Sequence, residues 1–232
     1  MLIGFSSGCL YKTHNPLAPE TFRTMRNLGC EAVEVMIHWV TDTEDFAKIT
    51  KADLEGFRYV SVHAPIYRGA DMREQYIASL AAIEKKHKEI GFDAVVVHPS
   101  LDTDWEMHRQ FDLPYVIENM DSRKTTCKNV TDMRLAFESF DVPFVLDVNH
   151  VYSNDTSMQL ADNLLDAFGD RLCEVHLSGY TTFHDPLYVT QQREILDVVP
   201  RRKDLPIIIE SVVDNEEDLK KEYEYIRNYF NL

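Results

Sequence analysis

Short apolar runs alternate with amphipathic stretches along nearly the whole chain. Leu2–Ser6 reads as a strand, Pro19–Leu28 sets Phe22, Met25 and Leu28 at helical spacing before Gly29, and Cys30–Ile37 is the next apolar run. Thr43–Phe57 reads as helical and Phe57–His63 as a third strand. Asp71–Ile90 is the clearest amphipathic helix, with Tyr76, Leu80, Ile83, His87 and Ile90 along one face and Gly91 as its stop. The run around Val95–Val97 ends a fourth strand on His98. The connection Ser100–Asp112 is too short for a full helix with its loops, so the fourth crossover is expected to be abbreviated. Leu113–Asn119 is a fifth strand, and Thr131–Phe140 a helix with Thr131 as its N-cap. The remaining alternation is Val142–Asp147 as strand, Ser157–Phe168 as helix, Leu172–Ser178 as strand, Gln191–Val199 as short helix, Leu205–Glu210 as strand and Glu216–Phe230 as the closing helix.

Strands that alternate with helices imply a parallel sheet, and eight such units with no spare element imply closure, so the pattern predicts one (β/α)8 TIM barrel over residues 1–232. The length, 232 residues, sits near the ~250 typical of such barrels. No run of eighteen apolar residues occurs and the chain begins directly with a strand, so a soluble cytoplasmic protein without a membrane partner is expected. Cys9, Cys30, Cys127 and Cys173 form no C-x-x-C pair and suit reduced thiols with packing roles. A net charge of −15 repels polyanions and disfavours nucleic acid as a partner.

The candidate chemistry lies where strands stop. In VPFVLDVNHVY, Val142–Tyr152, Asp147 follows Val145 at the two-residue period and His150 comes three residues later, where the strand is expected to give way to loop. His63, His98, Glu118, Asp147, His176 and Glu210 each end a different strand, and the barrel reading gathers them at one mouth. Singly, each is most simply a helix cap or a loop anchor; six in one structural position point to a metal site. Glu118, Asp147 and Glu210 brought within ~5 Å at an effective dielectric of ~20 would repel by about 3 kcal/mol per pair, so cations belong between them. Mixed carboxylate and imidazole donors suit zinc, manganese, cobalt or magnesium, in one to three ions. Glu34 and the aromatic residues Trp39, Tyr67, Trp105 and Tyr152, which the sequence sets in or near the mouth loops, are candidate substrate contacts; loop packing explains each aromatic equally well. Glu174 points inward beneath His176 without an assigned role.

In these residues the chain resembles the xylose isomerase-like barrels, which include sugar isomerases, ketose 3-epimerases and endonuclease IV. SVHAPIY at 61–67, VVVHPS at 95–100, VIEN at 116–119, D-x-x-H at 147–150, HLS at 176–178 and IIIES at 207–211 carry the likeness in order and nearly end to end. The resemblance implies that Glu118, Asp147, His176 and Glu210 hold one divalent ion, and that His63, His98, His150 and His184 match further ligands of endonuclease IV. Thr182-Phe183-His184 stands where that enzyme carries Asp-Arg-His, so one zinc ligand and a phosphate-contacting arginine are missing; Asp185 is the nearby candidate to replace the ligand. The expected activity is therefore a metal-dependent isomerase or epimerase of a small sugar or polyol, carbohydrate chemistry in which Glu118 and Glu210 exchange protons through an enediolate. An endonuclease IV-like zinc phosphodiesterase acting on abasic DNA is the alternative, and a metal-binding barrel without activity a third. The sequence leaves open assembly into a homo-oligomer.

Overall fold

The computed structural model describes residues 1–67 and 69–232. Eight parallel strands close a barrel in simple sequence order: β1 (Leu2–Ser6), β2 (Ala32–Met36), β3 (Tyr59–His63), β4 (Ala94–Val97), β5 (Tyr115–Glu118), β6 (Phe144–Asp147), β7 (Leu172–Leu177) and β8 (Pro206–Ile209), with β8 pairing back onto β1. The strands are buried on both faces, which is why they read as near-continuous apolar runs. Their outward residues, among them Phe5, Val35, Val62, Ile117, Leu146 and Ile209, join the main core under the helices. The inward set forms small apolar patches in the lumen, Leu2, Ala32 and Ile208 in one and Ala94, Val96, Val116 and Val145 in another. Gly4 lets β1 and β2 close at this level: a Cβ there would fall 1.6 Å from the Ala32 carbonyl oxygen.

Helices follow the strands with capping chemistry that fits the sequence. α1 (Pro19–Leu28) begins on proline and ends at Gly29 in the left-handed region, φ 93°. The second helix is much shorter than expected. α2 is only Thr43–Phe46, a single turn; the chain beyond it continues in tight turns, in one of which Asp53 accepts from the Thr50 N–H and hydroxyl at 2.8 and 2.7 Å. α3 (Arg73–Ile90) matches the amphipathic stretch, and α4 (Trp105–His108) is a single turn, the abbreviated crossover. In α5 (Val130–Ser139) the cap is Asn129, which accepts from Asp132 N–H at 3.0 Å, and Thr131 lies one residue inside the helix.

β6 passes straight into α6 (Val148–Asn154), so His150 sits on a helical turn and not in a loop. α7 (Gln159–Phe168) precedes β7, and the β7–β8 connection holds two short helices, α8 (Leu187–Thr190) and α9 (Arg193–Asp197), where one was expected. The buried Glu222 of α10 (Glu216–Phe230) accounts for α8, accepting from the Leu187 and Tyr188 N–H groups at 2.8 Å each. Among the described residues no helix is long and apolar enough to cross a membrane.

Candidate metal centre at the barrel mouth

Strand period and barrel closure bring all six strand-end residues together. His63, Glu118, Asp147 and His176 are buried, and His98 and Glu210 are partly open to the mouth. An irregularity in β7 contributes: Phe144 pairs with Leu172 but Val145 pairs with Glu174, so β7 carries one extra residue and Asp147 comes to lie beside His176.

Among the described residues three candidate ligand groups result: Glu34, Glu174 and His176 form one beneath the ring, and Glu118 belongs to both of the others. Glu118, Asp147, His176 and Glu210 place one donor atom each within 4.8 Å of one another, and so do His63, His98 and Glu118. Glu118 Oε2 faces the pair of histidines, 3.1 Å from His98 Nε2 and 3.7 Å from His63 Nε2. Its Oε1 faces the other way, 3.3 Å from His176 Nδ1 and 3.3 Å from His150 Nδ1. Neither Glu118 oxygen has a hydrogen-bond partner of adequate geometry, nor do Asp147 Oδ2 and His176 Nδ1. Buried lone pairs left without a hydrogen bond are rare in folded proteins, and a divalent ion would satisfy them. Three carboxylates with an imidazole, and two imidazoles with the shared carboxylate, are donor sets suited to zinc or a similar borderline ion.

Neighbouring hydrogen bonds aim the ligands. His63 Nδ1 lies 3.0 Å from the Ala64 carbonyl, an acceptor, which turns Nε2 toward Glu118 and to 3.1 Å from His98 Nε2. The Asn119 side chain clamps the Asp147 backbone, donating to its carbonyl and accepting from its N–H, both at 2.9 Å. Asp147 accepts from His150 N–H at 2.8 Å with Oδ1, so this acid caps α6 with one oxygen and offers the other to the centre. Of the helix cap and the metal ligand that the sequence suggested for Asp147, the cap is present, and Oδ2 remains without a hydrogen-bond partner among the other donor atoms.

Electrostatics express the same crowding. Burial works against protonation of His63 and His150, yet Glu34 raises the first to about 9 and Asp147 the second to about 10, with Glu118 adding to both. Burial, aided by Glu118 and Glu210, pushes Asp147 well above the usual carboxylate range despite His150. His98, mainly desolvated, falls to about 4. Without a metal, protonated imidazoles are the counter-ions of this carboxylate cluster.

The remaining expected residues separate. His150 and His184 join the wall of a cavity of about 450 Å³ above the centre, their rings 5.9 Å apart. His184 Nδ1 meets the Ser178 hydroxyl at 2.9 Å and lies 3.6 Å from Glu210. Asp185 does not reach the centre: it accepts from the Thr181 and Thr182 N–H groups at 2.7 and 3.0 Å and holds its own loop. Trp39 lines an adjoining cavity of about 460 Å³, with Tyr11 and Phe183. Glu34 is fully buried one layer below the ring, and Trp105 is buried against Phe140, stacked at 4.5 Å. Tyr67 packs beside Tyr76, and Tyr152 lies 6.2 Å from Tyr180; neither lines these cavities.

Three residues with no strand-end signature also line the mouth, Asp121, Arg123 and Lys124. Arg123 donates to Asp121 at 2.8 Å and lies 5.0 Å over the Phe183 ring, so a cation from the β5–α5 loop stands against Phe183. Asp121, held down to about 2 by Arg123 in spite of burial, points Oδ2 at His150 Nε2 from 4.0 Å.

No protein-family model matches the sequence, and none of the curated proteins does. Solved structures do. The chain is similar to endonuclease IV from Thermus thermophilus, with TM-score 0.72, 19% identity and 100% of this chain aligned to 99% of that one. It is also similar to D-psicose 3-epimerase from Clostridium cellulolyticum, with TM-score 0.64, 12% identity and 100% and 98% covered. A zinc-bound IolI protein superposes with TM-score 0.67, 11% identity and 100% and 98% covered.

Proposed function

We propose that this chain, which has the fold of the xylose isomerase-like TIM-barrel superfamily, binds two divalent ions and hydrolyses a small phosphate ester. The observation that carries this reading is the sharing of Glu118 between two ligand groups. His63 and His98 would hold one ion, Asp147, His176 and Glu210 the other, and Glu118 would bridge them. Such a pair supplies Lewis-acid charge to both the attacking and leaving oxygens of a phosphoryl transfer and lowers the pKa of water. As the shared ligand Glu118 would be poorly placed to exchange protons with substrate. Arg123 and Lys124, on the same wall, orient an anionic group toward the centre, and His150 and His184 flank the space in which the ester would lie. The net charge of −15 and the scarcity of cations at the mouth favour a small ester over a long duplex.

Proton transfer on a small sugar is the second reading. It is favoured by Glu118 and Glu210 flanking His176 Nδ1 at 3.3 and 3.5 Å from different strands, a layout that serves two-base epimerisation around one ion. The two readings part on metal content and on substrate. Elemental analysis of the zinc-loaded protein should give two ions per chain, falling to one in His98→Ala. The loaded protein should cleave bis(p-nitrophenyl) phosphate and leave an abasic-site duplex intact. One ion per chain, together with deuterium uptake alpha to the carbonyl of a ketose in D2O and no ester cleavage, would reverse the ranking.

A further inference from the structure

Directly beneath the ligand ring lies a polar cluster that metal binding alone does not explain. Glu174 is fully buried, and its carboxylate is saturated by neighbours from across the lumen. Tyr59 donates its hydroxyl to Oε2 at 2.6 Å, Ser61 donates to Oε1 at 3.3 Å, and His176 Nε2 approaches Oε1 at 2.7 Å. Tyr59 and Ser61 stand on β3 and Glu174 on β7, so the acid is fixed from outside its own strand. With a carboxylate as the acceptor, the short contact places an N–H on His176 Nε2. The opposite ring atom, Nδ1, has no hydrogen-bond partner and faces Glu118 and Glu210.

We propose that Glu174, anchored by Tyr59 and Ser61, is a positioning residue that locks His176 in the tautomer whose Nδ1 lone pair faces the carboxylates, and so sets the metal affinity of that centre. The inference rests on the metal-centre reading above. Its physical basis is general: an imidazole ligand whose other nitrogen donates to a carboxylate is held in orientation and made more basic, and loss of such a partner weakens metal binding about 10–100-fold. Glu34 does not share the role. Its Oε2 is 3.4 Å from His176 Nε2 and neither of its oxygens is hydrogen-bonded.

The test uses zinc affinity and a spectroscopic signature. Long-range ¹⁵N–¹H spectra of the zinc-loaded full chain should show His176 protonated at Nε2 and bare at Nδ1. Competition with a chromophoric chelator should give Glu174→Ala a zinc affinity about 10–100-fold weaker than wild type at this centre. Glu174→Gln, which keeps one acceptor oxygen, should recover part of that loss, and Tyr59→Phe should fall between Gln and wild type. Circular dichroism checks that each variant is folded; if Glu174→Ala is not, the near-isosteric Gln variant and the wild-type spectra decide. Wild-type affinity in a folded Glu174→Ala variant, or a proton on Nδ1 in the loaded protein, overturns the positioning role alone. A wild-type chain that takes up no zinc overturns the metal reading and this inference with it.

Discussion

Asp147→Asn should stabilise the metal-free protein while weakening its response to zinc. Asp147 shares with Glu118 and Glu210 a cluster whose donor atoms lie within 4.8 Å, where two like charges at an effective dielectric of about 20 repel by about 3.5 kcal/mol. His150 at 3.2 Å attracts it by about 5 kcal/mol on the same scale, so the two repulsions win by about 2 kcal/mol. Burial acts in the same direction, and together these hold the Asp147 pKa well above its ordinary value. A carboxyl raised on folding contributes stability that is complete below its unfolded pKa and is lost as pH rises. Asparagine removes the charge and keeps an oxygen to cap the His150 N–H. Thermal melts in EDTA at pH 7 should therefore place the variant above wild type by about 4–8 °C, taking about 2–4 °C per kcal/mol for a chain of this size. The advantage should shrink toward pH 4 and vanish below about pH 3, where the unfolded aspartate is itself protonated. Saturating zinc at about 100 times Kd should stabilise wild type by about 2.7 kcal/mol, with a clearly smaller gain in the variant. A variant less stable than wild type in EDTA, with an undiminished zinc shift, would refute the electrostatic account of the cluster.

Zinc uptake at pH 7 should release protons, because His63, raised to about 9, must lose its proton to ligate; affinity should climb with pH toward that value, as a pH-indicator titration in weak buffer would record. The apo-state ion pairs of His63 should be fully present below about pH 6.5 and fade as pH rises through about 9, visible as a falling melting temperature in EDTA. Arg123→Ala should raise KM for an anionic ester about 10-fold with kcat little changed, and steady-state kinetics would show a loss confined to kcat if the arginine served chemistry and not binding. Gly4→Ala should fail to give folded protein, since its Cβ would meet the Ala32 carbonyl at 1.6 Å; a soluble variant with native circular dichroism would contradict the close approach of β1 and β2.

What the sequence made legible follows from local rules. A buried strand fixes its side chains by a period of two, and a parallel barrel fixes which end carries chemistry, so His63, His98, Glu118, Asp147, His176 and Glu210 could be placed before any coordinates. The same rules fail for loops. Asp121, Arg123 and Lys124 reach the mouth because the β5–α5 loop is tied down by α6: Ser122 N–H donates to Ser153 at 3.0 Å and Asn154 donates to the Met120 carbonyl at 2.9 Å. Neither contact has a local signature. The same holds for Trp105, whose place under Phe140 depends on how a single-turn crossover folds back on the barrel wall. Helical propensity over Thr43–Phe57 likewise lost to a series of tight turns after Phe46.

Glu174 shows how a residue can be half legible. The two-residue period correctly set it on the same side as His176, and a buried acid pointing into a lumen is expensive unless it is hydrogen-bonded. Its partners had therefore to come from strands on other sides, since β7 itself supplies only His176. β3 presents Tyr59 and Ser61 inward, at the level where Gly4 narrows the barrel and apolar Val96, Val116 and Val145 fill the remaining lumen. An apolar residue at 174 would pack well against those valines, yet it would leave the Tyr59 hydroxyl without its acceptor and His176 Nε2 without its anchor. Leucine at that position should therefore keep much of the barrel's stability and lose zinc affinity, a separation that packing alone does not predict and that melts and chelator competition on one sample would reveal.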